Sequence, residues 1–207
     1  MNANCCTTWR NVATVAKREL YGYFLSPVAY VFVVIFLALT GFFTFMAGGF
    51  FERGEAALSW PFFSWHPWLY LFLVPAVGMR LWAEEHRLGT MELLLTMPIT
   101  PWQAIVGKFL ASWAVLALAL VLTFPIVLSV AYLGDPDVGA ILCGYCGSLL
   151  LAGAYLSVTC MTSAMTRNQV ISFIIAVVVL LFLILAGFPV VTDMIQKLMR
   201  GGSGLVD

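Results

Sequence analysis

Phe109-Leu-Ala-Ser-Trp-Ala-Val-Leu-Ala-Leu-Ala-Leu-Val-Leu-Thr-Phe-Pro-Ile-Val-Leu-Ser-Val-Ala-Tyr-Leu-Gly134 is a run of 26 residues without a charge. The hydrocarbon core of a bilayer takes about 20 mostly apolar residues as one α-helix, and this run exceeds that. Four other stretches match it in length and character: Leu20–Phe51, Ala56–Met79, Val138–Thr166 and Asn168–Thr192. Lipid offers the backbone no hydrogen-bond partner, so such runs must be helices, and they are too long and too evenly apolar for barrel strands. The expected fold is therefore an all-α integral membrane protein with spans at 28–49, 67–83, 102–132, 138–164 and 169–188. The rest of the composition agrees. Of 207 residues, 62% are hydrophobic and 10% charged, and the mean hydropathy is +1.00. Soluble domains carry about a quarter charged residues. Ten basic and ten acidic residues cancel, so no net field draws in nucleic acid. A soluble enzyme, a nucleic-acid binder and a disordered chain are excluded.

Punctuation sets the boundaries. Pro67 and Pro101 suit first-turn positions, where the missing N–H costs nothing, and Thr100 is placed to cap the helix that Pro101 opens. Asp135-Pro136-Asp137 makes a tight turn between the third and fourth spans. Pro75 and Pro125 fall inside spans and are expected to kink them. Trp60, Trp65 and Trp68 gather before the second span as an interfacial belt would.

Basic residues orient the chain. A cytoplasmic N-terminus places seven inside (Arg10, Lys17, Arg18, Arg80, Arg87, Lys108, Arg167) and three outside (Arg53, Lys197, Arg200), which the positive-inside rule favours. Ahead of the first span, Trp9, Val12, Ala13, Ala16, Leu20, Tyr23 and Phe24 recur at helical spacing, with Arg10, Lys17 and Arg18 between them. Residues 7–25 thus read as an amphipathic helix in the cytoplasmic interface, anchored by Trp9, Lys17 and Arg18, rather than a loose tail. The apolar run that follows is too long for a signal peptide and lacks a small-residue cleavage site.

Several chemistries are missing. Gly107-Lys108 is followed by Phe109 and has no glycine five residues earlier, so it is no phosphate loop. There is no HExxH and no GxSxG, and His66 and His86 lie on opposite sides of the membrane in this topology. Every charge sits near an expected span end or in a loop, which argues against a buried proton relay or a charged pore. Cys143-Gly144-Tyr145-Cys146 has the spacing of a metal or redox pair, but no βαβ context surrounds it. Ala140, Gly144, Ser148 and Ala152, beside Gly139, Cys143 and Gly147, instead lay two small-residue ridges along one helix, the way membrane helices pack. Cys5 and Cys6 lie in the N-terminal tail, where a disulfide is not expected.

One segment differs from the rest. Residues 84–99 are rich in charge: Gly89 should end the preceding helix, Thr90 can cap another, Glu92 suits its positive end, and Pro98 stops it. The expected product is a two-turn helix, Met91–Met97, about 10 Å long at 1.5 Å per residue. It would show Met91, Leu94 and Leu95. Periodicity alone fits equally a helix lying in headgroups and a knob for a partner's groove, with Glu84, Glu85 and Arg87 setting its orientation.

The pattern Glu84-Glu85-x-Arg87-x-Gly89-Thr90-x-Glu92-Leu93-Leu94-Leu95-Thr96-x-Pro98, followed by Gly107-Lys108, resembles the loop of ABC-2 type transporter permeases. The likeness runs nearly the length of the chain and is strongest to the gliding-motility-type permeases, with the copper-maturation permeases as near relatives. It implies an N-terminal interfacial helix, six spans, and a cytoplasmic coupling helix between spans two and three. That coupling helix would dock on a separate ATPase through Glu84, Glu85, Arg87, Gly89, Thr90, Met91, Glu92, Leu94 and Leu95. The family's sixth span has no counterpart before Asp207, and 189–200 resembles the short re-entrant helix that precedes it. The implied assembly is a bacterial inner-membrane exporter of two permease chains, alike or different, and two ATPase subunits. It leaves room for an accessory subunit outside. ATP and Mg belong to the ATPase, with no cofactor, metal or catalytic residue on this chain. The alternatives are a membrane scaffold that transports nothing and an ATP-independent channel or carrier. The apolar spans suit a lipidic or large amphipathic cargo, with a polymer, peptide or metal also open.

Overall fold

The computed structural model describes residues 3–48, 62–89, 100–134 and 136–188, and every regular element among them is helical. In chain order these are α1 (Ala3–Leu25), α2 (Pro27–Phe42, extended by a π-turn over Phe43–Ala47) and α3 (His66–Gly78, entered through a 3-10 turn, Phe63–Trp65). There follow α4 (Arg80–Leu88), α5 (Pro101–Val121), α6 (Phe124–Leu133), α7 (Val138–Met165) and α8 (Gln169–Ala186). The expected two-turn helix Met91–Met97, with Thr90, Glu92, Leu94 and Leu95, lies outside the described residues, as do Asp135 and the segment 189–200.

Among the described residues, four stretches are long and apolar enough to cross a bilayer: Ala29–Ala47, Pro101–Leu133, Val138–Met165 and Gln169–Ala186. They correspond to four of the five expected spans. Residues 67–83, expected as the fifth, take a different form. Helix α3 stops at Gly78 after 13 residues, about 20 Å at 1.5 Å per residue, and α4 resumes beyond Met79. The break has a local cause. The Ser163 hydroxyl on α7 donates to the Met79 carbonyl (2.9 Å) and accepts from the backbone N–H of Trp82 and of Ala83 (3.1 Å each). An inserted hydroxyl takes the place of the i→i−4 ladder bond, which is one of the few ways a helix is opened. Close approach permits it: a Cβ added at Gly78 would stand 2.6 Å from Cγ2 of Thr159. Pro75, by contrast, is accommodated within α3.

The kink expected at Pro125 is present. Helix α5 ends at Val121, Thr123 bonds back to Leu120, and Pro125 opens α6 at a position where no N–H is needed. The Thr123 hydroxyl also meets the Tyr145 hydroxyl of α7 at 2.7 Å, tying the kink to the next helix. Other boundaries follow side-chain chemistry. Asp137 accepts from Gly139 and Ala140 N–H at the start of α7, and Asn168 accepts from Val170 N–H at the start of α8. Thr100 is extended before Pro101, and the Gln103 side chain closes back on its N–H.

Helices α3 and α7 form the centre. The core unites Phe32 and Phe36 of α2, Tyr70, Leu71, Val74 and Val77 of α3, Val115 and Leu116 of α5, Leu156 of α7 and Leu180 of α8. Helix α3 buries residues on nearly every side, as expected of a helix apolar all round. The outer helices do the reverse, exposing Val34 and Phe42 on α2 and Val170, Ile174 and Phe182 on α8. An apolar exterior of this extent is a lipid-facing one.

The small-residue ridges of α7 divide. Ser148 and Ala152 are buried, and Gly144 receives the Phe63 ring so closely that a Cβ there would overlap it. Gly139, Cys143 and Gly147 are exposed, and Cys143 and Cys146 are free thiols on the surface. From Gly144 onward the first ridge packs within this chain, whereas Ala140 and the second ridge face outward.

Candidate functional site

The polar residues converge where α1, α4 and α5 meet. Along α1, Val12, Val15, Glu19 and Tyr23 fall at three- and four-residue intervals on the face turned toward α5. Gly107 lets the helices touch: a Cβ there would lie 2.7 Å from Cγ1 of Val15. One residue on is Lys108, with 4% of its side chain exposed. Its ammonium contacts Oε1 of Glu85 at 2.8 Å and Oε1 of Glu19 at 3.3 Å, and lies 5.4 Å from the Trp82 ring centroid. One buried cation thus joins α1, α4 and α5. Burying a charge is costly unless it is paired, and two carboxylates supply the pairing.

Neighbouring contacts extend the joint. The Tyr23 hydroxyl meets Oγ of Ser112 at 2.9 Å and also approaches the Val77 carbonyl. Burial lifts the Tyr23 phenol to about 12, against the opposing pull of that Ser112 bond, so the residue stays neutral. Trp82 Nε1 donates to Sγ of Cys160 at 3.2 Å, joining α4 to α7. At the far end of α1, Asn11 Nδ2 donates to Oε1 of Gln103, which also holds the first turn of α5.

The residues singled out from sequence are distributed as follows. Glu85 is in the joint itself. Glu84 lines a cleft beside it of about 200 Å³, together with Glu19, Gly22, Tyr23, Ser26, Arg80 and Lys108. Arg87 is exposed on the last turn of α4. Gly89 ends α4 with φ +70°, a left-handed conformation that glycine takes without strain, as its place in the sequence suggested. Trp9 is 64% exposed, Lys17 lies over the Tyr21 ring, and Arg18 bonds Glu19 at 2.9 Å. Thr90, Met91, Glu92, Leu94 and Leu95 lie outside the described residues.

Lys108 corrects one expectation. It does not sit at a span end but eight residues into α5, about two turns deep, and is enclosed. The signal was present: a lone lysine within an apolar run must find partners inside the bundle. Its partners are on elements far away in sequence, at positions 19 and 85, and no local pattern points to them.

A helical bundle with an apolar exterior and no strand among its described residues defines a multi-pass membrane protein. The sequence profile of the ABC-2 family transporter proteins matches residues 68–203, which is most of the chain, from the start of α3 onward. The chain belongs to that family: it is a membrane component of an ATP-binding-cassette transporter. No curated protein and no solved structure matches it.

Proposed function

We propose that this chain is the permease of an exporter and receives its driving force from a separate ATPase through residues 84–99. Two permease chains and two ATPase subunits form the working unit, and ATP with Mg is bound on the ATPase. The observation that carries the reading is the buried Lys108, which binds Glu85 on the last helix before that loop to Glu19 and to α5. A push on the loop is passed through α4 to a charge pair rather than lost in solvent. Because α4 is separated from α3 by the opening at Met79, it can move as a short lever against the core. The N-terminus is cytoplasmic in this reading, with α1 along that face, the α3–α4 segment as an additional crossing, and the inner membrane as the location. The gliding-motility-type permeases remain the subfamily whose loop it resembles.

Pull-down of the co-expressed ATPase, with its basal turnover, tests the assignment. Leu94→Glu places a charge where an apolar anchor is expected, and a lost anchor costs about 2 kcal/mol or more, enough to abolish binding of a small contact. Glu92→Lys should act likewise, whereas Lys17→Ala should change little. Wild-type binding and turnover in the Leu94 variant would remove the coupling role from this loop.

A further inference from the structure

The cleft beside Lys108 has more polar capacity than the fold uses. Lys108 is engaged by its two carboxylates, and Glu19 is shared between Lys108 and Arg18. Arg80 is differently placed. Its Nη1 reaches Oγ of Ser26 only at 3.5 Å, and its Nε is shielded and has no partner among the described residues. Glu84, one turn along the same helix, forms no ion pair among the described residues. Arginine before glutamate at i, i+4 is the weaker order for a helical pair, which leaves both groups available. An anion-binding donor and a cation-binding carboxylate therefore stand about 6 Å apart at their Cβ atoms on one wall.

Gly22, in the last turn of α1, also lines the cleft. Glycine is the poorest helix former after proline, and here no neighbour demands it, since an added Cβ meets nothing within 4 Å. Gly107 on the facing helix is a glycine because α1 touches it; Gly22 instead leaves the cleft open. On the other face of the same helix turn, Tyr21, Phe24 and Leu25 expose aromatic and aliphatic surface directly before the first crossing.

We propose that this cleft holds the headgroup of a phospholipid in which a two-carbon spacer joins phosphate to a primary ammonium, phosphatidylethanolamine. Its phosphate is bound by Arg80 and its ammonium by Glu84, while its acyl chains stay in the surrounding bilayer. A primary ammonium can donate hydrogen bonds to Glu84, whereas the quaternary ammonium of phosphatidylcholine has none to give. Phosphatidylglycerol satisfies Arg80 but offers Glu84 only neutral hydroxyls, a weaker partner than an ammonium. The site adjoins the Lys108 joint and shares Glu84 with the coupling segment, but its failure would leave the family assignment as it stands.

Native mass spectrometry of the full chain, purified in detergent and offered equal amounts of phosphatidylethanolamine, phosphatidylcholine and phosphatidylglycerol, tests this. Wild type should retain phosphatidylethanolamine about tenfold over the other two, the ratio that one charge-assisted hydrogen bond supplies. Glu84→Gln should erase that preference, and Arg80→Gln should weaken binding of all three. Gly22→Leu fills the cleft and should abolish retention. Its Cβ meets no neighbour, so it carries the test even if the Arg80 variant does not fold. Equal retention of the three lipids by wild type, or wild-type retention by Gly22→Leu, would overturn the proposal. Complete displacement by soluble glycerophosphoethanolamine would keep the headgroup chemistry but assign it to a free metabolite rather than to the bilayer.

Discussion

Replacing Lys108 by methionine keeps the length of the side chain and removes its charge. Two carboxylates would then face the space that the ammonium occupied at 2.8 and 3.3 Å. Removing one partner of a buried ion pair costs about 3–5 kcal/mol, chiefly because the remaining charge is left uncompensated. The partners here are not sealed: Glu85 is 17% and Glu19 22% exposed, and Arg18 still neutralises Glu19. The expected loss is accordingly at the lower end, about 3 kcal/mol. Glu85→Gln in the Lys108→Met background removes a carboxylate that the ammonium had countered, so the two substitutions should be strongly non-additive. Unfolding of the four proteins by SDS in mixed micelles, followed by tryptophan fluorescence, gives the cycle. Additive effects, or a Lys108→Met protein within about 0.5 kcal/mol of wild type, would refute the account of Lys108 as the tie between α1, α4 and α5.

Two further outcomes follow from the packing. Ser163→Ala removes the hydroxyl from the α3–α4 break, and the Ala83 N–H should then return to the Met79 carbonyl. Spin labels at the exposed positions 72 and 87 should move apart as the helix straightens, and an unchanged distance would show that the break has another cause. Gly107→Ala forces a Cβ against Val15 and should cost about 1–3 kcal/mol by overpacking, read by the same SDS titration; no loss would mean that α1 is not held against α5 as described.

Much of this architecture was written locally. Asp137 and Asn168 mark the starts of α7 and α8 because a cap acts within three residues, and Pro125 marks the α5–α6 kink because its own ring causes it. Gly89 ends α4 for the same kind of reason. The break at Met79 has no such mark, since the hydroxyl that opens it lies 84 residues further on. The joint around Lys108 was only half legible. Glu85 stood out within a charged loop motif, whereas Glu19 and Lys108 looked like ordinary charges at span ends. Their meeting depends on how α1 lies across α5, a tertiary fact set by Val15 against Gly107.

The serine at the α3–α4 break also sets an order of events during synthesis. When residues 66–88 leave the ribosome, Ser163 does not yet exist, and the Ala83 N–H has only the Met79 carbonyl to bond. At about 5–20 residues per second, some 84 residues take roughly 4–17 s to follow. For that interval nothing holds the Ala83 N–H away from the Met79 carbonyl, so His66–Ala83, apolar but for Arg80, can run on as one helix into the charged turn that follows. The joint is set only when α7 arrives. The moving part is thus cut into the newborn chain by a residue from the other half of the protein.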